Sequence, residues 1–212
     1  MEIKYISLGS TCEPAHCLKK KLRREAYPFD WITTIDSEKF IKIIEDDFKF
    51  FLDVNCLSVV NKDPFILINN QYNIEFLHEG MFNKELFFVN MKKLQEKYNR
   101  RIERFRNLKN FTGKVIFFRH SYKYSVSDPW RIFKCNDNLE ISDSYSINLY
   151  NSLKKYFDKL NFTLIIINNH NENNISEEKI IHENLIKIKC NTDLELDVKS
   201  ELYKKYFNND NL

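Results

Sequence analysis

Glycine is scarce in this chain: the 212 residues include 3 glycines and 4 prolines. A dinucleotide-binding fingerprint or a Walker loop needs several closely spaced glycines, so neither nucleotide motif can be written here. No apolar run approaches the roughly 20 residues that a membrane-spanning helix needs. The chain also opens on a strand-like segment instead of a secretory leader. The sequence therefore predicts a cytoplasmic protein without a membrane span.

The cysteines follow no framework pattern. There are five of them, an odd number at irregular spacing, where a disulfide-stabilised protein would show a paired set: Cys12, Cys17, Cys56, Cys135 and Cys190. A zinc site would need a second pair of ligands at suitable spacing, which the sequence does not offer. We therefore expect reduced thiols in a reducing compartment, with no metal and no cofactor.

The chain has little surplus of either charge, because 33 basic residues face 30 acidic ones for a formal net charge of +3. The two signs are interspersed along the sequence. Nucleic-acid binding requires a basic surplus concentrated on one face. The composition thus predicts no nucleic-acid partner.

Short apolar segments alternate with amphipathic ones along the chain. The pattern predicts strands at 3–8, 57–68, 72–78, 114–120, 162–167 and 184–189, and helices at 14–24, 89–109, 142–160 and 196–207, with one more helix capped by Asp36 or Ser37. The Asn-rich stretch 168–174 is predicted to be a polar surface loop. This alternation favours a single α/β domain over residues 1–212, a layered sheet that is mixed but mostly parallel, with helices on both faces.

Cys12 lies where the first predicted strand passes into the first predicted helix. Unpaired amides at a helix start favour a thiolate over a thiol. The turn at Gly9-Ser10-Thr11 adds amides that can hold a developing oxyanion, so Ser10 and Thr11 are candidate substrate-binding residues. The alternative is that Cys12 is a small buried apolar side chain.

One segment resembles a known family. ISLGSTCEPAHCLKKKLRREAYPFDWI (6–32) is similar to the opening signature of a family described as "putative papain-like cysteine peptidases", in which Ser-Leu-Gly-x-x-Cys and a short helix precede Tyr/Ser-Pro-Phe-Asp-Trp. Looser similarity follows in 72–80, 97–105 and 114–119. The resemblance is specific in the first segment and extends through residue 119.

The resemblance implies a Cys–His hydrolase with Cys12 as nucleophile and His78 as the base that activates it. Asp30, in the matched Phe-Asp-Trp, is then the candidate for orienting the imidazole. Its alternative role is that of a carboxylate capping a turn beside Trp31. The chain departs from the family pattern directly after the histidine, where Glu79-Gly80 replaces Asp-Phe.

Three further residues are candidates for the site. His120 follows a buried strand, where α/β proteins commonly place ligands, and it competes with His78 as a base. Arg119 and Arg101 are candidates for binding an anionic group, because a guanidinium recognises carboxylate or phosphate. For Arg101, bracing the sheet is the alternative.

Two functions stay open at this point. The first is a thiol-dependent hydrolase or acyl transferase, acting on an unknown substrate that is anionic or a peptide. The second is a non-catalytic α/β module for ligand binding or protein interaction, in which Cys12 is structural.

Overall fold

A computed structural model describes residues 1–22, 24–34, 36–60, 65–79, 87–121, 132–133, 142–170 and 177–191. The described helices are α1 (Glu13–Leu22), α2 (Ser37–Glu45), α3 (Phe87–Arg106) and α4 (Asp143–Phe157). The described strands are β1 (Ile3–Ser7), β2 (Thr33–Thr34), β3 (Leu57–Val60), β4 (Ile66–Asn69), β5 (Ile74–Phe76), β6 (Lys114–Ser121), β7 (Asn161–His170), β8 (Glu177–His182) and β9 (Leu185–Asn191). None of the helices in these ranges is long and apolar enough to cross a membrane.

The larger sheet has the strand order β1-β6-β7-β9-β8. Its first four strands run parallel, and β8 pairs antiparallel with β9. Near-continuous apolar runs in β6 and β7 fit strands that are covered on both faces. The prediction of a mixed, mostly parallel sheet is confirmed.

Helices cover both faces of this sheet, as predicted. On one face, Leu18 of α1 belongs to an apolar cluster with Phe118. On the other face, Phe105 of α3 and Phe157 of α4 lie with their ring centroids 6.1 and 5.7 Å from that of Phe117. Successive side chains of β6 point to opposite faces, which is why neighbouring phenylalanines serve different layers.

A second, antiparallel sheet has the order β2-β5-β4-β3. The prediction of one strand over 57–68 is wrong, because β3 and β4 are separate strands that pair antiparallel with each other. The apolar pattern is similar on both sides of the break. The signal that could have divided it is the turn-forming sequence Asn61-Lys62-Asp63-Pro64.

The far end of the larger sheet also differs from expectation. β7 continues to His170, and Asn168 is fully buried, so the predicted surface loop over 168–174 is wrong at its start. Asparagine polarity indicated a surface loop where the chain remains in the sheet. β8 was not predicted, since its exposed residues carry no apolar alternation. The helix predicted over 196–207 lies outside the described residues.

The carboxyl ends of β1 and β6 meet at one edge of the larger sheet. Pairing continues past β1, because the amide of Leu8 donates to the carbonyl of Phe118 and the amide of His120 donates to the carbonyl of Gly9, both at 2.7 Å. Gly9 has a φ of +81°, and a Cβ there would lie 2.9 Å from Oγ1 of Thr34. Glycine is therefore required where the chain turns from the sheet toward α1.

Candidate thiol site

Cys12 directly precedes α1. Its carbonyl accepts the first helical hydrogen bond, from the amide of His16 at 2.9 Å, and Oγ1 of Thr11 accepts from the amide of Glu13 at 3.3 Å. The Cys12 side chain is half-buried. The structure thus places a thiol at a strand-to-helix junction, where amide dipoles favour negative charge.

Ser10 fastens this junction to the neighbouring strands. Its amide and its hydroxyl both donate to the carbonyl of His120, at 3.0 and 2.6 Å, and its carbonyl accepts from the amide of Thr34 at 2.8 Å. The residue is fully buried. Ser10 thus fixes the loop that leads to Cys12. Thr11, the other substrate-binding residue predicted in this turn, directly precedes Cys12 in the sequence.

His78 lies on the turn after β5 and belongs to a row of rings beside the start of α1. The centroid of Trp31 lies 6.0 Å from that of His78 and 4.8 Å from that of His16, and both contacts are edge to face. His16 follows Cys12 by one helical turn. We call His16, Trp31 and His78 the aromatic row.

Partial burial lowers the pKa of His78 below the ordinary value for histidine. The nearby His16 lowers it further, while the carboxylate of Glu79 acts in the opposite direction. Part of the His78 ring remains exposed to solvent. A histidine with a depressed pKa is neutral near pH 7, which is the state that can accept a proton.

Glu79 anchors the turn that carries His78. Its carboxylate accepts from Nζ of Lys97 at 2.5 Å and from the hydroxyl of Tyr98 at 2.8 Å, both on α3. Burial raises the pKa of Tyr98 well above its usual value, so that its hydroxyl stays protonated and donates. Sequence reasoning treated Glu79 as a departure from the family pattern and missed this role, although its place directly after His78 was visible.

Asp30 accepts hydrogen bonds from partners other than His78. Its oxygens accept from the guanidinium of Arg24 at 2.8 and 3.0 Å, and from the amide of Tyr27 at 2.8 Å. The side chain is 2% exposed. This geometry matches the alternative role, a carboxylate that caps the turn leading into Trp31.

A second imidazole lies at the same helix start. Nδ1 of His120 is 3.2 Å from Oε2 of Glu13, and the His120 side chain is 1% exposed. The sequence predicted His120 as a site residue but not Glu13. Glu13 could have been recognised as an acidic residue in the first turn of a helix. The structure therefore brings Cys12, Glu13 and His120 to one corner of the sheet.

The two predicted anion-binding arginines lie in different places. Arg119 is fully buried, and its guanidinium donates to the carbonyl of Leu8 at 2.7 Å and to Oγ1 and the carbonyl of Thr34 at 2.8 and 2.7 Å. Arg101, on α3, stacks over Tyr98 with its Cζ 4.8 Å from the ring centroid. Arg119 thus joins β1, β2 and β6, whereas Arg101 lines a separate cavity.

The fold and the site define an α/β protein with the Cys12 thiol and the His120 imidazole at the carboxyl edge of a mostly parallel sheet. The chain belongs to the family described as "Putative papain-like cysteine peptidase", whose sequence profile matches residues 3–173. It is similar to "Uncharacterized protein R408" of Acanthamoeba polyphaga mimivirus, with 28% identity over 204 residues that cover 80% of this chain and 90% of that protein. No solved structure matches.

Proposed function

We propose that the chain is a thiol-dependent hydrolase or acyl transferase, with Cys12 as the nucleophile and His78 as the general base. The observation that carries this proposal is the meeting of two features at one helix start. The Cys12 carbonyl accepts from the amide of His16 at the start of α1, and Trp31 contacts both His16 and His78, with ring centroids 4.8 and 6.0 Å apart. Membership of a cysteine peptidase-like family supports the assignment.

In the proposed reaction, Sγ of Cys12 attacks the carbonyl carbon of an ester or amide. The S–C bond forms as the thiol proton passes to the neutral imidazole of His78, and the carbonyl π electrons move to oxygen. Collapse of this intermediate expels the alcohol or amine, which takes the proton from His78. Water then cleaves the thioester and regenerates the thiol; in acyl transfer, a second alcohol or amine replaces water.

The amides of Thr11 and Cys12 are our candidates for stabilising the oxyanion, because they lie at the helix start that carries the nucleophile. Asp30 and Glu79 act as positioning residues. Asp30 holds the turn before Trp31, and Glu79 holds the turn of His78 on α3. The odd number and irregular spacing of the cysteines fit reduced thiols, so we propose a cytoplasmic location.

One observation favours the competing hypothesis, a non-catalytic α/β module with a structural Cys12. Three residues predicted for the site, Ser10, Asp30 and Arg119, are buried and bonded to the protein itself. A framework of this kind could serve ligand binding alone. The two hypotheses differ in whether Cys12 is chemically activated.

Alkylation of the thiols by iodoacetamide near neutral pH, followed by mass spectrometry of each cysteine peptide, tests the proposal. Cys56 is the internal control, because it is also half-buried, while burial and the nearby Asp53 raise its pKa. We expect Cys12 to react about tenfold faster than Cys56 or more. We expect His78→Ala to remove most of that difference.

A second measurement ties reactivity to turnover. Hydrolysis of a p-nitrophenyl ester should be lost in Cys12→Ser and retained in the matched Cys56→Ser. Equal alkylation of Cys12 and Cys56, together with ester turnover unaffected by Cys12→Ser, would support the non-catalytic module instead.

A further inference from the structure

A cavity of about 440 Å³ lies between residues 25 and 26 and one face of α3. Five of the side chains that line it are basic, and their spacing along the helix places them on one face: Lys93, Lys97, Arg100, Arg101 and Arg104. Two lining residues, Glu25 and Glu96, are acidic. The cavity is therefore a local concentration of positive charge in a chain whose overall charge is nearly balanced.

Arg101 is the most buried cation of this set. It is 7% exposed, and within the described residues its buried Nη1 has no hydrogen-bond acceptor. Both Nη atoms of the fully buried Arg119, by contrast, donate to acceptors on Leu8 and Thr34. A buried guanidinium donor without an acceptor is unfavourable, so the position of Arg101 calls for an acceptor from a ligand.

The neighbouring cations divide into two groups. Lys97 pairs with Glu79 at 2.5 Å, and Arg104 donates to the carbonyl of Ala26 at 2.6 Å and pairs with Glu25 at 3.0 Å. These contacts hold the walls of the cavity. Lys93 and Arg100 are exposed to solvent, so their charged ends can move toward a ligand that reaches Arg101.

We propose that this cavity, which we call the Arg101 cavity, binds the phosphate group of a small phosphorylated molecule. A planar guanidinium offers paired donors that match phosphate oxygens, and flanking lysine and arginine side chains balance a doubly charged anion. The volume falls within the range of about 300–1,000 Å³ that is usual for small-molecule sites, so it has room for more than the phosphate alone. Neither Cys12 nor His78 lines the cavity, so the proposal is independent of thiol chemistry.

Titration of the full chain with inorganic phosphate, glucose 6-phosphate and glucose, at constant ionic strength, tests the proposal. Calorimetry gives the affinity, and ¹H–¹⁵N NMR locates the affected residues. We expect saturable binding of both phosphates, no binding of glucose, and a loss of about tenfold or more in phosphate affinity for Arg101→Met. Tighter binding of the sugar phosphate would show that the cavity also contacts the organic part of a phosphate ester, and equal binding would show that the phosphate group alone is recognised.

Two further variants test the proposal if Arg101→Met does not fold, and they control for the general loss of positive charge from α3. Lys93→Gln/Arg100→Gln changes only exposed side chains and should weaken phosphate binding even if Arg101→Met fails to fold. Lys92→Gln is the matched control, since Lys92 is an exposed cation of α3 that does not line the cavity, and it should bind as the wild type does. Absence of phosphate binding by the wild type, or equal binding by the double variant and the control, would overturn the proposal.

Discussion

Nδ1 of His120 lies 3.2 Å from Oε2 of Glu13, the residue directly after Cys12. The buried imidazole of His120 thus lies beside a carboxylate at the start of α1, the helix that also carries His16 of the aromatic row. His78 is partly exposed, and its pKa is lowered. Both histidines are candidates for the proposed base of Cys12, and their different surroundings allow substitutions to distinguish them.

Substituting each histidine in turn tests the choice of base. If His78 takes the thiol proton, His78→Asn slows alkylation of Cys12 about tenfold or more, because less of the thiol is converted to the reactive thiolate. His120→Asn should lower stability by about 1–3 kcal/mol, because the partly buried Glu13 loses its contact with the imidazole, while slowing alkylation much less. The measurements are iodoacetamide kinetics and urea unfolding. The reverse order of the two alkylation rates would assign the base to His120 and Glu13.

Local patterns predicted the parts of the site that lie close together in sequence. The apolar run of β1, the acidic Glu13 and the position of Pro14 predict a helix start near Cys12, and the structure has α1 beginning at Glu13. The end of β6 at Arg119 and His120 was equally visible, because a buried parallel strand is a continuous apolar run. Adjacent parallel strands then bring these two ends to one edge.

Contacts between distant positions could not be predicted in the same way. A lone arginine after an apolar strand has the same sequence signature whether it binds a ligand or, like Arg119, donates to backbone carbonyls inside the protein. Asp30 was matched to a motif, but its partner Arg24 depends on how the chain folds back before Tyr27. Such pairings are set by tertiary packing, which periodicity does not encode.

The surroundings of His78 predict opposite effects of two neighbouring substitutions on its pKa. His16 lowers the pKa of His78, so His16→Gln should raise it; Glu79 raises it, so Glu79→Gln should lower it. If His78 is the base, the acid limb of Cys12 alkylation moves to higher pH in the first variant and to lower pH in the second. An NMR titration of the His78 ring measures the same shifts directly. Shifts of one sign in both variants would contradict this account.

The lowered pKa of His78 also predicts how stability depends on pH. Because the folded pKa lies below the unfolded one, the unfolded chain binds the proton more tightly, and stability falls as pH drops through the unfolded pKa of about 6.5. This part of the loss ends below the folded pKa, and His78→Gln should remove it. Urea midpoints compared between pH 7 and pH 5 check the difference. If the wild type and His78→Gln lose the same stability between pH 7 and pH 5, protonation of His78 does not contribute to the pH dependence of stability.

Asp30→Asn tests whether Asp30 acts on His78 directly or through Trp31. The substitution breaks a buried pair with Arg24, which costs about 3–5 kcal/mol. If Asp30 only holds the turn before Trp31, the pKa of His78 should stay where it is in the wild type while Cys12 alkylation slows. A carboxylate in contact with the imidazole would instead raise its pKa, so its loss would lower the His78 midpoint. The NMR titration of His78 in this variant distinguishes the two roles.

Arg119 joins three strands, so its loss should cost more than that of any exposed arginine. In Arg119→Met, the carbonyls of Leu8 and Thr34 lose a charged donor, and the stacking of Cζ 3.8 Å from the centroid of Phe40 is lost as well. We expect destabilisation of about 3 kcal/mol or more, since buried acceptors without donors cost roughly 1–3 kcal/mol each.

Arg119→Lys should recover only part of this stability, because one ammonium cannot reproduce the forked contacts of the guanidinium. Arg100→Met, at an exposed position of α3, is the control and should stay within about 0.5 kcal/mol of the wild type. Urea unfolding of the three variants measures these differences, and an Arg119→Met protein as stable as the control would show that Arg119 does not brace the strands.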